Sequence, residues 1–283
     1  MARMPVVVGV DGSEGSMRAA EWAAREAMRH KVPLRIVSAP GPLPQMQSPQ
    51  VPKVTVVNAL RGMAARNLAQ AVERVGKVAQ GPLIETGLLS GPPAVAVADC
   101  GHGASMLVLG ARGSGGFGAM MLGSVSRYSA THARCPVVVV QEETTAVQRE
   151  VAVGIGDPED AQATLAFAFE EAELRGAELL VVHAVYWIPP ILQARADPAG
   201  DAELVSAAAR GQLEDMLSAW QEKYPMVKVF PEVVHAHPAR VLASLSARAD
   251  LTVLGRRTAP SLGSIRNVVL SHAHGPVAVV PNV

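Results

Sequence analysis

The stretch LGARGSGGFGAMMLGSVSRY, residues 109–128, carries six glycines between Gly110 and Gly123. It follows the apolar run SMLVLG and precedes a segment that can open a helix. Glycine is the costliest residue to order, so a cluster this dense marks backbone that needs unusual dihedrals or lies against a ligand. The chemistry such spacing allows is anion binding. Gly110 ends a strand, and Gly113 lets the loop turn while its N–H groups approach an anion. Gly123 and Ser124 then open a helix, whose free N–H groups and partial positive charge favour phosphate. Ser124 and Ser126 add hydroxyl donors, although Ser124 also suits a plain N-cap role. One helix-dipole contact contributes about 0.3–1 kcal/mol, against about 8 kcal/mol for micromolar affinity, so several must act together.

Two other phosphate templates fail. Gly113, Gly115 and Gly118 match G-x-G-x-x-G by spacing. That fingerprint belongs after the first strand of its unit, with an acidic residue about 20 positions on. Here it follows a fourth strand and leads into VVVV, with no carboxylate. No G-K-S or G-K-T occurs, which excludes the P-loop. The pairs His235-x-His237 and His272-x-His274 have no carboxylate or Cys at useful spacing and read as structural or solvated. Cys135 precedes Pro136 where the second half has Gly275, which argues against a nucleophile. Tyr186 and Trp187 read as core packing rather than a pocket wall.

The elements that must position the loop occur twice. VVVGVDGSEGSMRAAEWAAREA from Val6 and VAVGIGDPEDAQATLAFAFEEA from Val151 are offset by 145 residues. The same offset relates LRIVSA to LLVVHA, GPPA to AHPA and LVLG to TVLG. One offset across four segments marks two homologous domains, expected at 1–142 and 150–283. Past the glycine loop the offset falls to 140, so the second copy has lost five residues inside that loop. Within the first copy, PVVVGV and LRIVSA are short β-branched runs without polar alternation, as in strands covered on both faces. Ala20, Ala23, Ala24 and Ala27 recur between them at helical spacing. The pattern continues as helix 58–79, strand 83–89, helix 92–102, strand 105–110, helix 124–133 and strand 136–141. Such alternation predicts α/β architecture, two tandem doubly wound parallel sheets with right-handed crossovers. Pro40–Lys53 is Pro- and Gln-rich and reads as a surface loop, with a lid as the alternative.

Gly110-x2-Gly113-x9-Gly123-Ser124 resembles the nucleotide-binding motif of the universal stress protein family. Asp11 after the first strand, GPPA after the third and CPVVVV at the domain end add to the resemblance, which covers both halves. It implies an adenine-nucleotide α-hydrolase-like fold with ATP across the first, second and fourth strands. Asp11 would accept from the ribose or help hold a phosphate-bound Mg2+. Ala39 would pack on adenine and Leu109 would wall the site. Gly110, Gly113, Gly123, Ser124, Val125 and Ser126 would hold the phosphates. Arg112, inside the loop, is an added phosphate partner, with a solvated arginine as the alternative.

The second copy departs from this motif. Asp11 maps to Gly156, Gly113 to Thr258 and Ser126 to Arg266. ATP is therefore expected mainly in the first domain. Arg256, Arg257 and Arg266 are left to hold a smaller anion or to face water. Lys+Arg and Asp+Glu number 25 each, so the formal net charge is zero and no nucleic-acid footprint shows. Two cysteines, a start without a signal peptide and the lack of an apolar run near 20 residues fit a cytoplasmic protein without a membrane span. The function expected from the resemblance is ATP-dependent regulation through an unidentified protein partner. The alternatives are a slow ATPase or transferase, and a scaffold without nucleotide. No His or Glu near the loop reads as a water-positioning base. Valine-rich terminal strands, CPVVVVQ and GPVAVVPNV, invite antiparallel pairing into a pseudo-dimer and further homo-oligomers.

Overall fold

The structure, a computed structural model, describes residues 4–41, 52–79, 81–113, 122–141, 148–156, 161–185, 198–256 and 263–282. Most of the proline-rich loop, the centre of the glycine loop, Tyr186, Trp187, Arg257 and Thr258 lie outside these residues. The chain divides into two compact units, Met1–Glu142 and Glu143–Val283.

The first unit alternates β1 (Val6–Gly9), α1 (Glu14–His30), β2 (Leu34–Ser38), α2 (Lys53–Val78), β3 (Ile84–Leu88), α3 (Pro93–Asp99), β4 (Met106–Gly110), α4 (Ser124–His132) and β5 (Val137–Val140). Its strands lie in the order β3-β2-β1-β4-β5, every pair parallel. Every residue of β1, β4 and β5 is buried, as their unbroken apolar runs require of strands covered on both faces. The chain moves outward from β1 through β2 to β3, then returns to add β4 on the other side of β1. The crevice between the carboxyl ends of β1 and β4 is therefore the switch point where open α/β sheets take ligands.

Helix α1 shows why sequence dictates placement here. Ser13 caps it by accepting from the Ser16 N–H at 3.2 Å, and Glu14 sits in its first turn. Lys31 ends it in the left-handed region at φ 54°. Ala19, Ala20, Ala23, Ala24 and Ala27 are fully buried, so the helix lies close to the sheet. Helix α2 begins five residues earlier than its apolar periodicity predicts, at Lys53 rather than 58. Its buried stripe is Ala64, Leu68, Ala71 and Val75, and the first turns face solvent behind Pro52, so they carry no periodic signal. Arg74 of α2 bridges Glu14 and Glu21 of α1 and holds the Glu14 carboxyl below its usual range.

The second unit repeats the order: β6 (Glu150–Ile155), α5 (Gln162–Arg175), β7 (Glu178–Ala184), α6 (Pro198–Lys223), β8 (Val229–Val234), α7 (Pro238–Leu245), β9 (Leu251–Arg256), α8 (Gly263–His272) and β10 (Val277–Pro281). Its parallel strands run β10-β9-β6-β7-β8, so its switch point lies between β6 and β9. Phe169 of α5 is fully buried and stacks on Trp220 and Tyr224. Ala168 and Ala172 keep α5 close to the sheet as the alanines do in α1, while Phe169 stands where α1 has Ala24. No described helix is long and apolar enough to cross a membrane.

Candidate functional site

At the first unit's switch point the sequence Asp11-Gly12-Ser13 turns from β1 into α1. The Asp11 Oδ1 accepts from the Ser13 N–H at 3.0 Å and from the Ser13 hydroxyl at 2.6 Å. The Ser16 hydroxyl donates to the Ser13 carbonyl at 2.8 Å and accepts from the Asp11 N–H at 3.3 Å. Ser13 thus orients the Asp11 carboxylate, and Ser16 holds its backbone N–H. Its second oxygen faces the loop that follows β4: a Cβ added to Gly113 would lie 2.4 Å from Asp11 Oδ2. Carboxylate and glycine loop meet at this point.

The glycines are required by close approach. A Cβ on Gly110 would lie 2.7 Å from the Gly15 carbonyl carbon and 3.0 Å from the Ser16 nitrogen, so β4 ends directly against the first turn of α1. The sequence reading has Gly113 let the loop turn. Its φ lies outside the left-handed region, and what excludes a side chain is the Asp11 carboxylate. Gly12 is the residue with positive φ, at +86°, and a Cβ there would lie 2.6 Å from Asn67 Oδ1. Gly123 is the N-cap of α4, and its N–H donates to the Ala111 carbonyl at 2.8 Å.

The remaining predicted residues occupy distinct places. Ser124, the first residue of α4, is exposed and leaves the cap position to Gly123. Val125 is half-buried beside it. Ser126 is buried, and its hydroxyl proton goes to the Gly110 carbonyl at 2.7 Å, so it ties α4 to β4. In this arrangement the Ser126 hydroxyl proton is not available to a phosphate. Ala39 is half-buried just beyond β2, where Ser38 donates to the Val10 carbonyl at 2.7 Å. Leu109 is 3% exposed, and its Cδ2 lies 2.7 Å from where Gly9 would carry a Cβ. Its side chain supports the crevice from beneath. Arg112 is exposed, with its carbonyl near Gly15.

Sequence reasoning missed Ser13, Ser16 and Asn67. The D-x-S spacing before a helix was a usable signal, because Asx turns and N-caps share it. Asn67 had none, since α2 reaches Gly12 only through tertiary packing. Elsewhere His237 caps α7 by accepting from the Ala239 N–H at 3.3 Å, and His272 Nδ1 lies 2.9 Å from the Val268 carbonyl. Those histidines serve local structure. Burial raises the Cys100 thiol above its ordinary range.

Two doubly wound parallel α/β units in tandem, each with a switch point at the carboxyl ends of its central strands, define an open α/β class of fold. The Universal stress protein family model matches residues 3–141 and 148–281, and the chain belongs to that family. It is 35% identical over 288 residues to Universal stress protein Rv2005c of Mycobacterium tuberculosis, covering 97% of this chain and 96% of the relative. It is 31% identical to Universal stress protein Rv2623 of the same species, covering 97% and 95%. A solved universal stress protein from Archaeoglobus fulgidus superposes with TM-score 0.73 at 17% identity, covering 99% of this chain and 97% of that one. That likeness speaks for the fold.

Proposed function

We propose that the first unit binds ATP and that the protein acts as a nucleotide-dependent regulator. The observation that carries this reading is the meeting of Asp11 and Gly113 at the switch point, with Asp11 oriented by Ser13. A carboxylate oriented by Ser13 beside the glycine loop is preorganised to meet a ribose hydroxyl or a cation there. The backbone fits a polyphosphate: Gly110 and Gly113 leave no volume for side chains, and Gly123 opens α4 without a side-chain cap. The free N–H groups of the first turn of α4 then face the crevice end of β4.

Bound ATP would bring a polyphosphate, with or without Mg2+, whose charge these groups neutralise. Asp11 is the residue that would hold the cation. Ala39 supplies an apolar contact beside the adenine, and Arg112 extends the positive field along the loop. Leu109 and Ser126 act from beneath, by fixing Gly9 and Gly110 in place. The second unit is the weaker nucleotide site. Gly156 stands where Asp11 stands in the first unit, and Arg266 stands where Ser126 does.

The test is a mass spectrum of small molecules released from the purified full-length chain, paired with a turnover assay. Adenine nucleotide released without measurable hydrolysis supports the regulator. Turnover above about 1 per second supports the enzyme reading, since that is the low end of ordinary catalytic rates. No nucleotide in the spectrum, and none bound on titration, overturns both.

A further inference from the structure

Among the described residues, strand β3 has a neighbouring strand on one side only. Its bonds to β2 fix which groups face the other side. The Leu34 N–H donates to the Leu83 carbonyl at 2.9 Å, and the Leu89 N–H donates to the Ser38 carbonyl at 2.9 Å. Backbone groups alternate in direction along a strand, so Leu83, Glu85, Gly87 and Leu89 bond to β2. Ile84, Thr86 and Leu88 turn their N–H and C=O groups outward. The matching edge of the second unit is different. There the Leu179 N–H donates to the Lys228 carbonyl and the Val185 N–H to the Val234 carbonyl, each at 2.8 Å. That pattern turns Val229, Pro231 and Val233 outward. Pro231 stands where the first unit has Thr86, and it has no N–H to offer. Proline on the outer side protects an edge from pairing, and β3 carries none.

The unprotected edge is complementary to itself. With two copies antiparallel about a twofold axis at Thr86, Thr86 meets Thr86, Ile84 meets Leu88 and Leu83 meets Leu89. Leu83 is 66% exposed and Leu88 39%, so pairing covers apolar surface. Glu85, itself exposed, comes opposite Gly87. Arg35 of β2 reaches across that glycine, with Nε and Nη2 each 3.7 Å from where its Cβ would be. Because residue 87 is glycine, no side chain stands between that guanidinium and the incoming Glu85. We propose that two copies of this chain join through β3 into an antiparallel, isologous dimer. Each outward pair exchanges both of its N–H···O bonds, and Glu85 of each copy meets the partner's Arg35. The same patch serves both copies, so assembly closes at two, and Pro231 bars the second unit's edge from extending it. The contact stands independently of the nucleotide reading.

Sedimentation equilibrium of the full-length chain, at about 1–100 μM protein, tests the contact. Wild type should associate reversibly to twice the chain mass within that range. Thr86→Pro removes one donor from each copy and should raise the dissociation constant at least about tenfold. Pro231 shows that the strand accepts proline at this place. Glu85→Arg sets like charges together and should weaken the dimer by a similar factor. Adding Arg35→Glu to that variant should restore it, a rescue that general damage to the fold would not give. Both side chains are exposed, so these variants keep the fold. A wild type still monomeric at about 100 μM, or a dissociation constant unchanged in Thr86→Pro or in Glu85→Arg, overturns the proposal.

Discussion

Replacing Gly113 by alanine isolates the contact on which the nucleotide site rests. The new Cβ would sit 2.4 Å from Asp11 Oδ2, against 3.4 Å for an ordinary contact, so the carboxylate must retreat by about 1 Å. Its other oxygen is bound to Ser13 at 2.6 and 3.0 Å. A shift of that size stretches both bonds to about 3.6–4 Å, where hydrogen bonding is lost. Bonds to a charged acceptor contribute about 1.5–3 kcal/mol when buried, and this turn is only half-buried, so about 1 kcal/mol each is a fair scale. Gly113 does not have positive φ, so alanine also gains about 0.4–1 kcal/mol by restricting the unfolded chain. The balance is a net loss of about 1 kcal/mol, or about 3 °C in Tm. ATP affinity should fall at least tenfold, since the displaced carboxylate no longer meets the ligand. Calorimetric titration with ATP and a thermal melt check both effects. Wild-type affinity together with wild-type Tm in Gly113→Ala would refute the reasoning.

Three further outcomes follow from neighbouring geometry. Gly110→Ala meets backbone of α1 at 2.7 Å rather than a movable side chain, so it should cost about 1–3 kcal/mol in a denaturant melt and abolish ATP binding. Ser13→Ala removes the α1 cap and the hydroxyl bond to Asp11, leaving only the backbone N–H on that carboxylate, so a loss of about 1–2 kcal/mol in the melt should accompany weaker ATP binding. Glu150 is pushed above its ordinary value of 4.5 by burial, opposed by Arg248 and aided by Glu232, Glu178 and Asp250. An acid with a raised folded-state value destabilises the fold above that value, and the penalty fades as pH falls toward 4.5. Glu150→Gln should therefore raise Tm at pH 7, by less than about 1 kcal/mol equivalent, with the advantage vanishing near pH 4. A constant advantage across that range would rule out titration as its source.

The repeat made the architecture legible, because two copies at one offset align strand with strand and helix with helix. The unbroken apolar run of β1 marked a strand covered on both faces, and burial of every one of its residues follows from that composition. The start of α2 was hidden because its first turns bury nothing. At the site, the spacing of Gly110, Gly113 and Gly123 drew attention to a segment whose glycines are required by close packing rather than by backbone dihedrals. Periodicity and spacing report local backbone, whereas the constraint on Gly113 comes from Asp11, about a hundred residues away in the chain. Asn67 over Gly12 and Ser126 on Gly110 are likewise products of tertiary packing.

The central claim is met most directly by counting ATP bound per chain, by equilibrium titration of the full-length protein with and without Mg2+. The expected result is one site of micromolar or better affinity per chain, lost in Gly113→Ala and retained in Arg266→Ser. Zero sites, or two sites of equal affinity that both survive Gly113→Ala, would contradict it.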